Sequence, residues 1–73
     1  MMKQEDLLKR LKEHLPIVVN YGKGYFSNKD IKEPAYWDDN YNAYTSDTGI
    51  WDTKLLIEIA QGLVEDTTIE LEE

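Results

Sequence analysis

The chain contains no cysteine, so disulfides and every thiol-based mechanism are excluded. With one histidine and no cysteine, it also lacks the nitrogen and sulfur donors from which structural zinc sites are built. No stretch approaches the roughly 20 apolar residues that cross a bilayer. The first residues, MMKQEDLLKRLKEHL, are charged within three positions, unlike a secretory leader. The expectation is a cytoplasmic protein that does not engage a membrane.

Phenylalanine occurs once, against five tyrosines and two tryptophans. Any aromatic core must therefore be built from rings that carry a polar atom. The 73 residues read as a single small acidic domain, 1–73, with no room for a second core. A chain of this size buries only about 60% of its unfolded surface. Small domains compensate with disulfides, a metal or a partner subunit. Association with a partner, or with a second copy as a homo-oligomer, is the staple left.

Cations are scarce in one half. Residues 1–32 hold seven Lys/Arg against four Asp/Glu, a balance of +3. Residues 33–73 hold one lysine, Lys54, against eleven Asp/Glu, a balance of −10. Charge asymmetry of this kind speaks to association more than to fold. It also lets a basic first helix lie against the acidic half, within one molecule or across a dimer.

Residues 4–15 predict an amphipathic helix, with Leu7, Leu8, Leu11 and Leu15 within about 100° of arc. Glu5 and Asp6 open it, and Lys9, Arg10, Lys12 and His14 lie toward its end, matching the helix dipole. Pro16 stops it. The following IVVNYGKGYF reads as a hairpin, with strands near 17–21 and 24–27 around Gly22-Lys23-Gly24. Residues 28–34 read as a connection. Residues 35–45 parse as a short strand, a turn at 38–40 and a second strand at 41–45. In such a strand Tyr36 and Trp37 point to opposite faces, so at most one is core.

Residues 51–65 predict the central helix, capped by Asp52 or Thr53. Its apolar residues Leu55, Leu56, Ile57, Ile59, Ala60, Leu63 and Val64 cover about 200° of circumference. Trp51 is expected in the core. TTIELEE alternates as a closing half-buried strand. The whole predicts an α+β domain in the order α-β-β-(β-β)-α-β.

Little catalytic chemistry is present. A nucleophilic triad would need Ser27 or Ser46 with His14, without the glycine pattern that presents a nucleophile. Asp38, Asp39, Asp47 and Asp52 gather carboxylates among rings, yet aspartates beside Asn, Ser, Thr and Gly are ordinary turn formers. Asp38, Asn40 and Asn42 alternate as in a calcium loop. That loop would need glycine at Ala43 and glutamate at Gly49. Gly22-Lys23-Gly24 lacks the phosphate-loop spacing. The expectation is no enzyme, no cofactor and no metal.

Two alternatives to a protein-binding module stand. One is nucleic-acid binding through Tyr21, Lys23, Tyr25, Lys29 and Lys32, which a net charge of −7 opposes. The other is a homodimeric structural or accessory module.

The segment AYWDDNYNAYTSDTGIWD, residues 35–52, holds five of eight aromatic rings and four aspartates with no cation. Tyr and Trp dominate interface energetics, and aspartates around them would steer a basic partner. Tyr36, Trp37, Asp38, Asp39, Tyr41 and Tyr44 are the candidate partner-binding residues. The leading expectation is a small non-enzymatic inhibitor or regulator of a basic, nucleic-acid-processing protein. Its size and acidity suit a phage or mobile-element accessory.

Within that segment PAYWDDNYNA, residues 34–43, resembles the acidic, aromatic stretch with which barstar-type ribonuclease inhibitors meet their target. The shared pattern is P-x-Y-aromatic-x-acid-N-x-x-A, over ten of 73 residues. Asn42 and Ser46 stand where that stretch carries target-facing acids, and the preceding hairpin departs from its order of elements. The resemblance implies target contact through this stretch.

Overall fold

The computed structural model describes residues 3–23 and 26–71. Helix α1 (Gln4–Glu13) leads into strands β1 (Ile17–Lys23), β2 (Asp30–Asp38), β3 (Ala43–Ser46) and β4 (Gly49–Trp51). Helix α2 (Thr53–Ala60) and strand β5 (Thr68–Leu71) follow. The fold is α+β in the order that the sequence pattern predicts. Its five strands form an antiparallel sheet in the spatial order β4-β3-β2-β1-β5.

Register assigns the two faces. Ile17 lies opposite Ala35 and Leu71, Val19 opposite Glu33 and Ile69, and Tyr44 opposite both Trp37 and Trp51. Because neighbours along a strand alternate, these rows share one face. Both helices cover that face: Leu7 and Leu11 of α1 and Leu56 and Ile59 of α2 cluster with Ile17, Val19, Ala35, Tyr44 and Ile69. Leu7 and Leu56 are fully buried, each contributing about 1.5–3 kcal/mol over leaving it exposed. Trp51 packs against this cluster half-buried. The opposite face carries Val18, Pro34, Tyr36, Thr45 and Ile50, and neither helix lies on it.

Both helices end in the same hydrogen-bonding pattern, earlier than the apolar periodicity predicts. In α2 the Gly62 amide donates to Ile59 O at 3.0 Å and the Leu63 amide to Glu58 O at 2.9 Å, with Gly62 at φ +78. This is a Schellman stop, and glycine is its usual residue. The helix therefore ends at Ala60 rather than near 65, and Leu63 is left exposed. In α1 His14 takes the left-handed position at φ 56, its amide facing Leu11 O at 3.4 Å while Leu15 N donates to Arg10 O at 3.0 Å. The N-terminus of α2 is capped by Asp52, whose Oδ1 accepts from Leu55 N at 2.7 Å.

The first hairpin is longer than a glycine turn would make it. β1 continues to Lys23, which pairs with Asp30, so β2 begins there and not at residue 24. Gly24 and Tyr25 of the expected hairpin lie outside the described residues. Between the Asn20–Lys32 and Lys23–Asp30 pairs β1 has one residue more than β2, a bulge containing Gly22 at φ +74. A Cβ at Gly22 would stand 2.7 Å from Asp66 O, so close approach as well as φ requires glycine. Residues 30–34, read from composition as connection, are strand. Pro34 is admitted because β3 reaches β2 only from Tyr36 onward, leaving an edge there.

Candidate interaction surface and the network beneath it

The six candidate residues divide by strand alternation. Tyr36 and Trp37 point to opposite faces of β2, and Tyr44 joins Trp37 on the helix-covered side. Tyr44 is 0% exposed, whereas Tyr36 is 53% and Tyr41 61% exposed. Asp39 is exposed and Asp38 half-buried. The surface share of the segment is thus Tyr36, Asp38, Asp39 and Tyr41.

Trp37 and Tyr44 grip the end of helix α1. The Trp37 ring stacks on the His14 imidazole at 3.8 Å between centroids and 5° between planes. It meets the Tyr44 ring edge-on at 5.5 Å. The Tyr44 hydroxyl lies 2.7 Å from Leu15 O and 3.0 Å from Arg10 O; its one proton serves the nearer Leu15 carbonyl just past the helix end, since Arg10 O already accepts from Leu15 N. Arg10 Nη1 donates to Pro16 O at 2.6 Å, fastening the chain as it enters β1. Burial raises the Tyr44 phenol above its ordinary pKa, and the nearby Arg10 charge opposes that rise.

A second network holds the β3–β4 turn. Glu33, 9% exposed, faces the helix-covered side of β2. Its Oε1 accepts from Ser46 Oγ at 3.2 Å and from Thr48 Oγ1. Ser46 Oγ in turn accepts from Trp51 Nε1 at 2.7 Å, and Thr48 Oγ1 is 2.8 Å from the Tyr21 hydroxyl. One proton per hydroxyl fixes the direction: Tyr21 to Thr48 to Glu33, and Trp51 to Ser46 to Glu33. The carboxylate accepts directly from β3 and the turn, and through those two hydroxyls it is linked to Tyr21 of β1 and Trp51 of β4; the turn leaves Asp47 exposed. Ser46 is committed to this network, and the His14 ring is stacked on Trp37.

The two aspartates of the β2–β3 turn also have local work. Asp38 Oδ1 accepts from Asn40 N at 2.8 Å, and Asp39 Oδ1 accepts from Trp37 Nε1 at 2.9 Å. Asn42 takes the left-handed φ of 52 that completes the four-residue reversal between the paired Asp38 and Ala43. These bonds hold both carboxylates at the β2–β3 turn, Asp38 in alternation with Tyr36 on the open side and Asp39 bonded to Trp37, whose ring lies on the helix-covered side.

Register adds a residue that sequence reasoning missed. Thr45 lies opposite both Tyr36 and Ile50, making a row of three on the open face. Ile50 is 54% exposed. The helix predicted from residue 51 hid β4, which runs Gly49–Trp51; the Asp47-Thr48 reversal before Gly49 was the available signal. No group of three or more His, Cys, Asp or Glu suited to a metal occurs among the described residues. No described helix is long and apolar enough to cross a membrane. Comparison with protein-family models, curated proteins and solved structures found no match to this chain.

Proposed function

We propose that this chain is a non-enzymatic protein-binding module that inhibits or regulates a basic partner. The contact surface is the open sheet face around Tyr36, Thr45 and Ile50, with Asp38, Asp39 and Tyr41 at its end. One observation carries the reading: Tyr36 and Ile50 flank Thr45 in register on the face that neither helix covers, beside an aspartate-bearing turn. An aromatic and an aliphatic anchor supply area to bury, and the carboxylates at the rim steer a cationic surface into contact. A partner that itself binds nucleic acid has such a surface, and carboxylates stand in there for phosphates.

The test is retention on the immobilised chain. A basic protein held at low salt, and lost from the Asp38→Asn, Asp39→Asn double variant, is the expected result. Binding of a labelled oligonucleotide by the wild-type chain at physiological salt would replace this reading with nucleic-acid recognition.

A further inference from the structure

Strand β5 lies at the sheet edge opposite β4, and among the described residues it pairs with β1 alone. Along its outer side alternate residues present unpaired N–H and C=O groups, a template for one more strand. Directly beside this edge, between α2 and β5, is a cavity of about 190 Å³. Ile59, Ala60, Val64 and Ile69 line it, with Asp66 and Thr68 at its mouth. Apolar cavities of about 150 Å³ hold a benzene-sized group, so this one accepts a branched aliphatic side chain. The cavity wall is preset: the loop before β5 is held against the β1 bulge, where the Asp66 carbonyl approaches Gly22 too closely to admit a side chain.

Charge selects the occupant. Residues 55–73 contain six Asp/Glu and no Lys or Arg. A second copy pairing through β5 would set this acidic stretch against itself, and facing like charges oppose strand pairing. A cationic segment meets the opposite condition. Glu70 already shows the contact on the open face of β5, accepting the Lys32 ammonium at 3.2 Å from two strands away. Both partners of that pair are half-exposed, so Glu70 can share its carboxylate with a cation on its outer side.

We infer that β5 and the adjoining cavity form a second binding site, which takes an extended basic peptide segment by strand addition. One apolar side chain of the segment enters the cavity between α2 and β5. Its neighbours in sequence, on the opposite face, are Lys or Arg facing Glu70. Alternation along an added strand supplies this apolar–basic pattern without distortion. The site is separate from the Tyr36 surface, which lies at the β2–β3–β4 end of the sheet.

Selection of phage-displayed random nonapeptides on the full chain tests it, with affinities of the selected peptides read by fluorescence anisotropy. The expected sequences carry an aliphatic residue flanked by Lys or Arg. Their binding should weaken at least tenfold in Ala60→Leu, which fills the cavity, and severalfold in Glu70→Lys, a surface change that leaves the core untouched. No enrichment over protein-free wells, enrichment of uncharged or acidic sequences, or selected peptides indifferent to both variants would overturn the proposal. So would a concentration-dependent dimer that Ala60→Leu dissociates, since the edge would then belong to a second copy.

Discussion

Tyr44 closes helix α1 from across the core, with its hydroxyl 2.7 Å from the Leu15 carbonyl oxygen. The aromatic segment that reads as a surface in sequence is thereby joined to the first helix by its own inward-facing half. Tyr44→Phe keeps the ring and removes the donor to the Leu15 carbonyl. Its cost should be about 1–2 kcal/mol, read as a lower urea midpoint at unchanged slope.

The same phenol predicts an alkaline effect. Its pKa is raised above the ordinary value near 10 by burial. An acid with a raised folded pKa contributes stability that is present below its unfolded value and lost as pH rises through the folded one. Wild-type stability should therefore fall as pH climbs past about 10, and Tyr44→Phe should show a shallower fall. Denaturant titrations across that range check the difference between the two slopes.

His14 occupies a left-handed position, φ 56, usually given to glycine, and its ring stacks on Trp37. His14→Ala keeps the unfavourable backbone and loses the stacking. His14→Gly loses the same stacking but relieves the backbone. Glycine should therefore be the more stable variant by about 0.5–1 kcal/mol, with both below wild type if the stacking exceeds the relief. Thermal melts of the three chains decide the order.

Glu33 collects the hydroxyls of Ser46 and Thr48 in a nearly buried position. Glu33→Ala leaves both without their acceptor and should cost about 1–3 kcal/mol. Glu33→Gln retains an acceptor oxygen and should lose less. Urea unfolding orders the variants, and equal loss in the two would mean that packing rather than hydrogen bonding holds the turn.

Legibility followed the reach of each signal. The leucines of α1, the wide apolar stripe of α2 and the alternation around Ile69 are local patterns, and each marked its element. Boundaries were lost where a single residue outweighed a pattern. Gly62 stopped α2 although apolar periodicity ran on to Val64. Residues 30–34 became strand although their composition is polar, because β1 pairs along them as far as Lys23. The candidate site was half legible: alternation alone puts Tyr36 and Trp37 on opposite faces. The inward role of Tyr44, the buried Glu33 and the addition of Ile50 all depend on cross-strand register, which no local window contains.

The most direct test of the open-face reading compares two pairs of changes at constant stability. With a salt-eluted basic partner in hand, its dissociation constant is measured by calorimetry for wild type, Tyr36→Ala with Ile50→Ser, and Asp38→Asn with Asp39→Asn. Each pair should weaken binding at least tenfold, about 1.4 kcal/mol. The aspartate pair should also flatten the dependence on salt, while melting temperatures stay close to wild type. An unchanged dissociation constant in both pairs would contradict the account.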